Sequence, residues 1–277
     1  MKSSSKLRIG IVGCGAIGSR IATSIQKDKE LNKLCSLTGL YDIDDEKMLS
    51  LTRKLKRSVN IMMSSLHDLI RHCDCIIEAV NAKDTRPIIK EALKAKKNVL
   101  AMSVGKLLNA RDLFELARKN KCKILLPSGA IAGIDAIKAA SLAHIKKIIL
   151  TTRKPPIGFR NTAYFVQKGI DLSQIKKETV IFSGDVDTAV KLFPQNINVS
   201  ATVALACRDK RKLHIRILTS PKYKTNSHEI EVQGDFGEIV TRTDNVVCPD
   251  NPKTSYLAVL SGIQTLKQFC TGLLIGT

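Results

Sequence analysis

The stretch Leu7 to Ser19, LRIGIVGCGAIGS, constrains the fold more than any other part of the 277-residue chain. Leu7, Ile9, Ile11 and Val12 read as a short buried strand, and Ile17, Ile21 and Ile25 recur at helical intervals after it. Between them Gly13, Gly15 and Gly18 supply the G-x-G-x-x-G spacing. Gly13 permits the tight turn, Gly15 lets the backbone approach a pyrophosphate, and Gly18 lets helix and strand pack closely. The N–H groups at the helix start, from Ala16 and Ile17 onward, then face phosphate charge. A second apolar stretch, Leu37 to Tyr41, ends in Asp42. Dinucleotide-binding folds carry a carboxylate about 20 residues past the motif, where it accepts hydrogen bonds from the ribose hydroxyls. The expected cofactor contacts are therefore Gly13, Gly15, Ala16, Ile17, Gly18 and Asp42. Asp42 favours NAD, because it repels a 2′-phosphate; Lys47 and Arg53 keep NADP open.

No uninterrupted apolar run reaches the roughly 18 to 20 residues of a membrane span, so no membrane insertion is expected. The apolar part ahead of Cys14 is only about half of an export-signal core of about 7–15 residues, and a cytoplasmic location follows. The 8 cysteines form no C-x-x-C pair and no His cluster accompanies them, so they read as buried thiols and no metal site is expected. Charge is the unusual property, with 45 basic residues against 25 acidic ones and a net +20. The lysines are dispersed, aromatic residues make up 4% and Trp is absent, which argues against a specific nucleic-acid partner. The same charge attracts small anions such as dinucleotides and dicarboxylates.

Past Asp42, helix and strand signals alternate as a parallel sheet with crossover helices requires. Helices are expected from Asp44 or Asp45 to about Leu55, after Ser65, from Thr85, and from an Asn109 cap through Lys119. Strands are expected at Cys75 to Val80, Asn98 to Val104 and Lys123 to Leu126. After Pro127 the pattern changes: a helix over Gly133 to His144, a strand over Ile148 to Thr152, a loop-rich stretch, then helices over Val186 to Leu192 and Val199 to Cys207. Leu213 to Ile217 and His228 to Val232 alternate apolar and polar residues, the signature of half-exposed antiparallel strands, and a turn over Gln233 to Gly237 leads into Glu238 to Val247. A helix over Ser255 to Leu274 carries Leu257, Leu260, Ile263, Leu266 and Phe269. The fold class is thus α/β: an N-terminal Rossmann doubly wound sheet over residues 1–128, a smaller α+β domain over 129–252, and a terminal helix within 253–277 that returns to the first domain.

Histidines are the natural acid–base candidates at neutral pH. His67, His72, His144 and His214 sit where packing, a helix end or a polar strand position explains them. His228 stands at the start of a second-domain strand, and pattern alone reads it as structural too. Pro127 to Gly133, PSGAIAG, puts small residues at a strand's carboxyl end, where α/β sheets bind ligands. Phe193 to Val199 puts Asn196 and Asn198 at a helix start, where Asn198 can simply cap. From the residues alone the reading stops at a nucleotide-dependent enzyme with an undefined substrate.

Together the glycine motif, Met102-Ser103-Val104-Gly105, PSGAIAGIDA from Pro127, TTRKPP from Thr151, FPQNINVSATVALA from Phe193, NSHEIEVQGDFG from Asn226 and NPKTS from Asn251 resemble the L-aspartate dehydrogenase family over nearly the whole chain. Lys106, after MSVG, departs from the small residue expected there. The resemblance implies a second domain that supplies the active site and subunit contacts, His228 as the catalytic residue, and cofactor contacts at Ala130 and Asn198, with Asn196 as the fallback. It implies NAD or NADP as cofactor, L-aspartate oxidised to iminoaspartate and then oxaloacetate and ammonia, a homodimer, and a place in de novo NAD synthesis. Arg153, Lys154 and Lys253 are candidates for the substrate's carboxylates. The alternatives are a related reductase of another amino or hydroxy dicarboxylate, and a nonenzymatic dinucleotide sensor or polyanion-binding protein.

Overall fold

The computed structural model describes residues 6–80, 85–159, 162–193, 197–249 and 251–276, with side chains at all of these positions except 163, 167 and 251–253. The chain divides into two compact units, Met1–Pro127 with Val259–Ile275, and Ser128–Ala258 with Gly276–Thr277.

In the first unit β1 (Leu7–Val12), β2 (Cys35–Tyr41), β3 (Cys75–Glu78), β4 (Asn98–Ala101) and β5 (Ile124–Leu125) pair in parallel in the order β2-β1-β3-β4-β5. The order reverses between β1 and β3, and sheets of this kind bind ligands outside the carboxyl ends of the strands at such a point. The crossovers carry α1 (Ala16–Lys27) and α2 (Leu31–Leu34), α3 (Asp45–Lys54) and α4 (Leu66–Arg71), α5 (Thr85–Lys94), and α6 (Arg111–Lys119). Ser65 caps α4 by accepting from the Asp68 N–H at 3.1 Å. The capping position of α6 falls on Ala110 and not on the expected Asn109, since the helix begins at Arg111.

Successive strand residues face opposite sides of the sheet. Ile9 and Ile11 turn one way and bury themselves with Ile21 and Ile25 of α1. Each such side chain stabilises the fold by about 1.5–3 kcal/mol. Gly10 turns the other way, where a Cβ would lie 3.0 Å from Leu69 of α4. Helices therefore cover both faces, and the sheet is doubly wound.

The second unit opens with α7 (Ile134–Ala140) and runs through β6 (Ile145–Lys154), α8 (Ala163–Lys168), β7 (Thr179–Asp185), α9 (Val186–Leu192), α10 (Asn198–Ala206), β8 (Leu213–Thr219), β9 (Asn226–Gly234) and β10 (Gly237–Asn245). Its sheet has the order β10-β9-β6-β8-β7. The alternating pattern predicted antiparallel strands, but β8 runs parallel to β6 and antiparallel to β7. Alternation reports that one face is covered, and it does so whichever way neighbouring strands run. β7 itself lies in the stretch expected to be loop. Ile181 and Phe182 are buried in succession, and the register shifts between Val180 and Phe182, so the period of two that marks a strand is broken there.

A short antiparallel pair, β11 (Val247–Cys248) and β12 (Asn251–Ser255), leads into α11 (Tyr256–Thr271). From Val259 onward α11 belongs to the first unit. Leu266 joins the core around Ile9 and Ile11, and Gly262 passes so close to Met102 that a Cβ would stand 2.6 Å from its methyl carbon. Leu257 and Leu260, expected to pack, are instead 39% and 41% exposed, and Val259, Gly262 and Leu266 form the buried face. Among the described residues no helix is long and apolar enough to cross a membrane, and no group of His, Cys, Asp or Glu is placed to hold a metal ion.

Candidate active site

The glycine turn fixes two of its positions from within. Gly13 has φ +97°, and a Cβ there would meet the Ala79 carbonyl oxygen at 2.5 Å. A Cβ on Gly18 would fall 1.9 Å from the Gly13 carbonyl oxygen. Gly15 is different: nothing lies within 4 Å of a Cβ built on it. The chain's own packing does not need glycine at that position, whereas a pyrophosphate approaching the backbone does. Gly15 is the capping residue of α1, no side chain caps the helix, and its first turn, opened by Ala16 and Ile17, holds no acidic residue. The N–H groups of that turn suit an anion, so the residues present fit a dinucleotide.

Asp42 follows β2 and closes over the turn. Its Oδ2 accepts from the Cys14 N–H at 2.7 Å and its Oδ1 from the Asp44 N–H at 3.1 Å. A carboxylate offers about four acceptor sites, so about two remain for a ribose diol. Burial, then the charge of Asp42, pushes the Cys14 thiol up to about 12, and it stays protonated. Lys47 is exposed and bonds Asp44 at 3.2 Å; that bond and the charge of Asp42 raise its pKa.

Glu78, at the carboxyl end of β3, carried no role in the sequence reading. It is 0% exposed. Its Oε1 accepts from the Val80 N–H at 3.1 Å, Thr85 Oγ1 at 3.1 Å and Ser103 Oγ at 2.9 Å, and its Oε2 from the Ser103 N–H at 3.1 Å. Burial raises its pKa against the pull of those bonds. Glu78 thereby ties the loop after β3 to the MSVG segment, whose Lys106 lies in a 3-10 turn over Val104–Leu107. A carboxylate closing an apolar run at a parallel strand's carboxyl end was the available signal.

In the second unit the PSGAIAG loop is tied to β10. The Ala130 carbonyl accepts from Thr243 Oγ1 at 2.8 Å and Asn245 Nδ2 at 3.0 Å, and the Ala132 carbonyl from Thr241 Oγ1 at 3.2 Å. Asn198 is an exposed first residue of α10, and Ile197, not Asn198, is the capping residue. Asn196 lies outside the described residues. Phe193, just ahead, is anchored among rings, 5.5 Å from Phe182 and 6.0 Å from Phe165 between centroids.

Of the 5 histidines, His228 alone is buried. It stands on β9 opposite Thr152 of β6 on one side and Thr243 of β10 on the other. Its Nδ1 is 3.0 Å from Thr152 Oγ1. Burial, helped by the charge of Lys154, pushes the imidazole down to about 3, so it is neutral at pH 7. Lys154, two residues past Thr152 on the same face of β6, is itself lowered to about 8 by burial. Arg153 projects from the opposite face and pairs with Glu229 at 3.3 Å. The side chain of Lys253 lies outside the described residues. Two of the other histidines serve local contacts: His214 meets Ser183 at 2.8 Å and His72 the Asp68 carbonyl at 2.8 Å.

A doubly wound unit with a turn fitted to a pyrophosphate, followed by a mixed-sheet unit with a buried neutral imidazole, defines the class as a two-unit dinucleotide-dependent oxidoreductase. Residues 13–127 match the family of the homoserine dehydrogenase NAD-binding domain, and residues 135–269 the aspartate dehydrogenase C-terminal family. The L-aspartate dehydrogenase of Methanosarcina barkeri is 43% identical over 274 residues, spanning 98% of this chain and 100% of the relative. That of Methanosarcina mazei is 41% identical over 277 residues, spanning 98% and 100%. The crystal structure of aspartate dehydrogenase from Thermotoga maritima shares the fold, with a TM-score of 0.70 at 22% identity over 98% of this chain and 99% of that one. The chain belongs to the L-aspartate dehydrogenase family.

Proposed function

We propose that this chain oxidises L-aspartate with NAD or NADP to iminoaspartate, which water converts to oxaloacetate and ammonia. The observation that carries the reading is His228, buried, bonded to Thr152 and neutral, in the unit that matches the aspartate dehydrogenase C-terminal family. A bound nicotinamide supplies the hydride acceptor. The turn at Gly13, Gly15 and Gly18, with the amides of Ala16 and Ile17, holds the pyrophosphate; Asp42 holds the ribose, and Ala130 and Asn198 contact the cofactor.

His228 takes a proton from the substrate ammonium or from the attacking water. Lys154 shares its face and pairs with a substrate carboxylate. The bound anion offsets the Lys154 charge that depresses the imidazole, and so raises its basicity when substrate is present. Arg153, engaged with Glu229 on the other face, is left out of this role.

Asp42 favours NAD, with Lys47 close enough to admit NADP. Residues 1–128 and the helix within 253–277 form the cofactor domain, and 129–252 the catalytic and subunit-contact domain of a cytoplasmic homodimer that feeds de novo NAD synthesis. The test is purified protein with L-aspartate and either NAD or NADP, following reduced nicotinamide, oxaloacetate and ammonium together. Equal amounts of all three products, formed faster with NAD, are expected. Reduction with a hydroxy dicarboxylate but not with L-aspartate would replace the substrate, and cofactor binding without turnover would replace the enzyme reading with a sensor.

A further inference from the structure

His228 lies between two threonines in register, and they are not equivalent. Thr243 donates to the Ala130 carbonyl at 2.8 Å and lies 3.1 Å from Asn245 Nδ2, so its hydroxyl serves the PSGAIAG loop. Thr152 is 5% exposed, and its hydroxyl reaches the imidazole at Nδ1, 3.0 Å away. Its neighbour Thr151 shows the contrast: that hydroxyl is buried on the opposite face with no partner among the described residues.

A neutral imidazole has one donor nitrogen and one acceptor nitrogen. Thr152 occupies Nδ1, which leaves Nε2 to meet a substrate. If the threonine hydroxyl donated to Nδ1, the proton would sit on Nε2 and the ring would have no lone pair to offer there. If Nδ1–H donates to Thr152 Oγ1, Nε2 is the base.

We propose that Thr152 is the positioning residue for His228: its Oγ1 engages Nδ1 and holds the ring, so that Nε2 meets the substrate as the base with the ring proton on Nδ1. This rests on His228 being the base. A hydroxyl can donate or accept, so Thr152 holds the ring while the need for a lone pair at Nε2 sets the direction of the bond, and small misplacements of a reacting group cost large factors in rate.

The experiment combines nitrogen NMR of full-length protein labelled with ¹⁵N-histidine and steady-state kinetics with L-aspartate. In the wild type the His228 signals should show a protonated Nδ1 and an unprotonated Nε2. Thr152→Val keeps the shape and removes the hydroxyl; it should lower kcat roughly 10- to 100-fold with the KM for cofactor unchanged. Its ring should lose the fixed Nδ1–H form. Thr152→Ser restores the hydroxyl and should return kcat to near the wild-type value together with the tautomer. A wild-type ring protonated on Nε2 overturns the proposal, whether or not the variants fold. So does Thr152→Val with wild-type kcat while His228→Ala is inactive. Wild-type turnover in His228→Ala would instead overturn the base reading underneath it.

Discussion

Glu78 in the first unit and His228 in the second are both buried titratable groups, and burial drives both toward their neutral forms, Glu78 upward and His228 downward. They differ in what surrounds them. Glu78 receives bonds from Val80, Thr85 and both the amide and hydroxyl of Ser103, so its capacity is consumed by its own chain. Among the described residues the His228 ring has one hydrogen bond, to Thr152 through Nδ1. A buried polar group with every site satisfied internally holds elements in place, whereas one with a site to spare can do chemistry.

The largest effect that separates the two is expected from His228→Ala. Turnover should fall by ~10²–10⁴ with cofactor affinity near normal, since general acid–base catalysis contributes that much. Titrating cofactor into the variant checks the second half. Glu78→Ala should act the other way round, costing about 2–3 kcal/mol of stability by stranding the Val80 and Ser103 donors, as read from urea unfolding. Normal stability in that variant would remove the distinction. Asp42→Ala loses a charged acceptor worth about 1.5 kcal/mol and should shift the NAD to NADP preference roughly tenfold, measured as a ratio of kcat/KM values. An unchanged ratio would pass that role to residues other than Asp42.

The last effect concerns pH and has a definite sign. The His228 imidazole protonates near its ordinary 6.5 when unfolded but only near 3 when folded. Between those values the unfolded chain binds more protons, so stability contributed by the neutral buried ring is lost as pH falls from 6.5 toward 3, by at most about 1.4 kcal/mol per unit. His228→Gln should flatten that slope. Glu78, raised above its ordinary 4.5, has the opposite sign, and its contribution is full below that value and falls as pH rises from it through the raised one.

The first unit was legible because its signals are local. The G-x-G-x-x-G spacing, the apolar run into Asp42 and the Ser65 cap each sit within a few residues and mean one thing physically. Glu78 was not legible, because its partners Thr85 and Ser103 come from other elements and only the sheet brings them together. Thr152 stood inside a quoted motif, yet its meaning depends on the β6–β9 register that puts it opposite His228. The parallel pairing of β6 with β8 escaped for the same reason, since burial alternates identically in either direction. Ile181 and Phe182 hid β7 by breaking the period. His228 itself was singled out by family resemblance, while its burial and its bond became visible only in the fold.

The reverse reaction decides whether this chain works as an amino-acid dehydrogenase. Purified protein, oxaloacetate and reduced nicotinamide are followed by absorbance with and without ammonium. Oxidation that requires ammonium and yields L-aspartate is the predicted result. Oxidation at the same rate without ammonium would contradict it and mark the chain as a hydroxy-acid reductase.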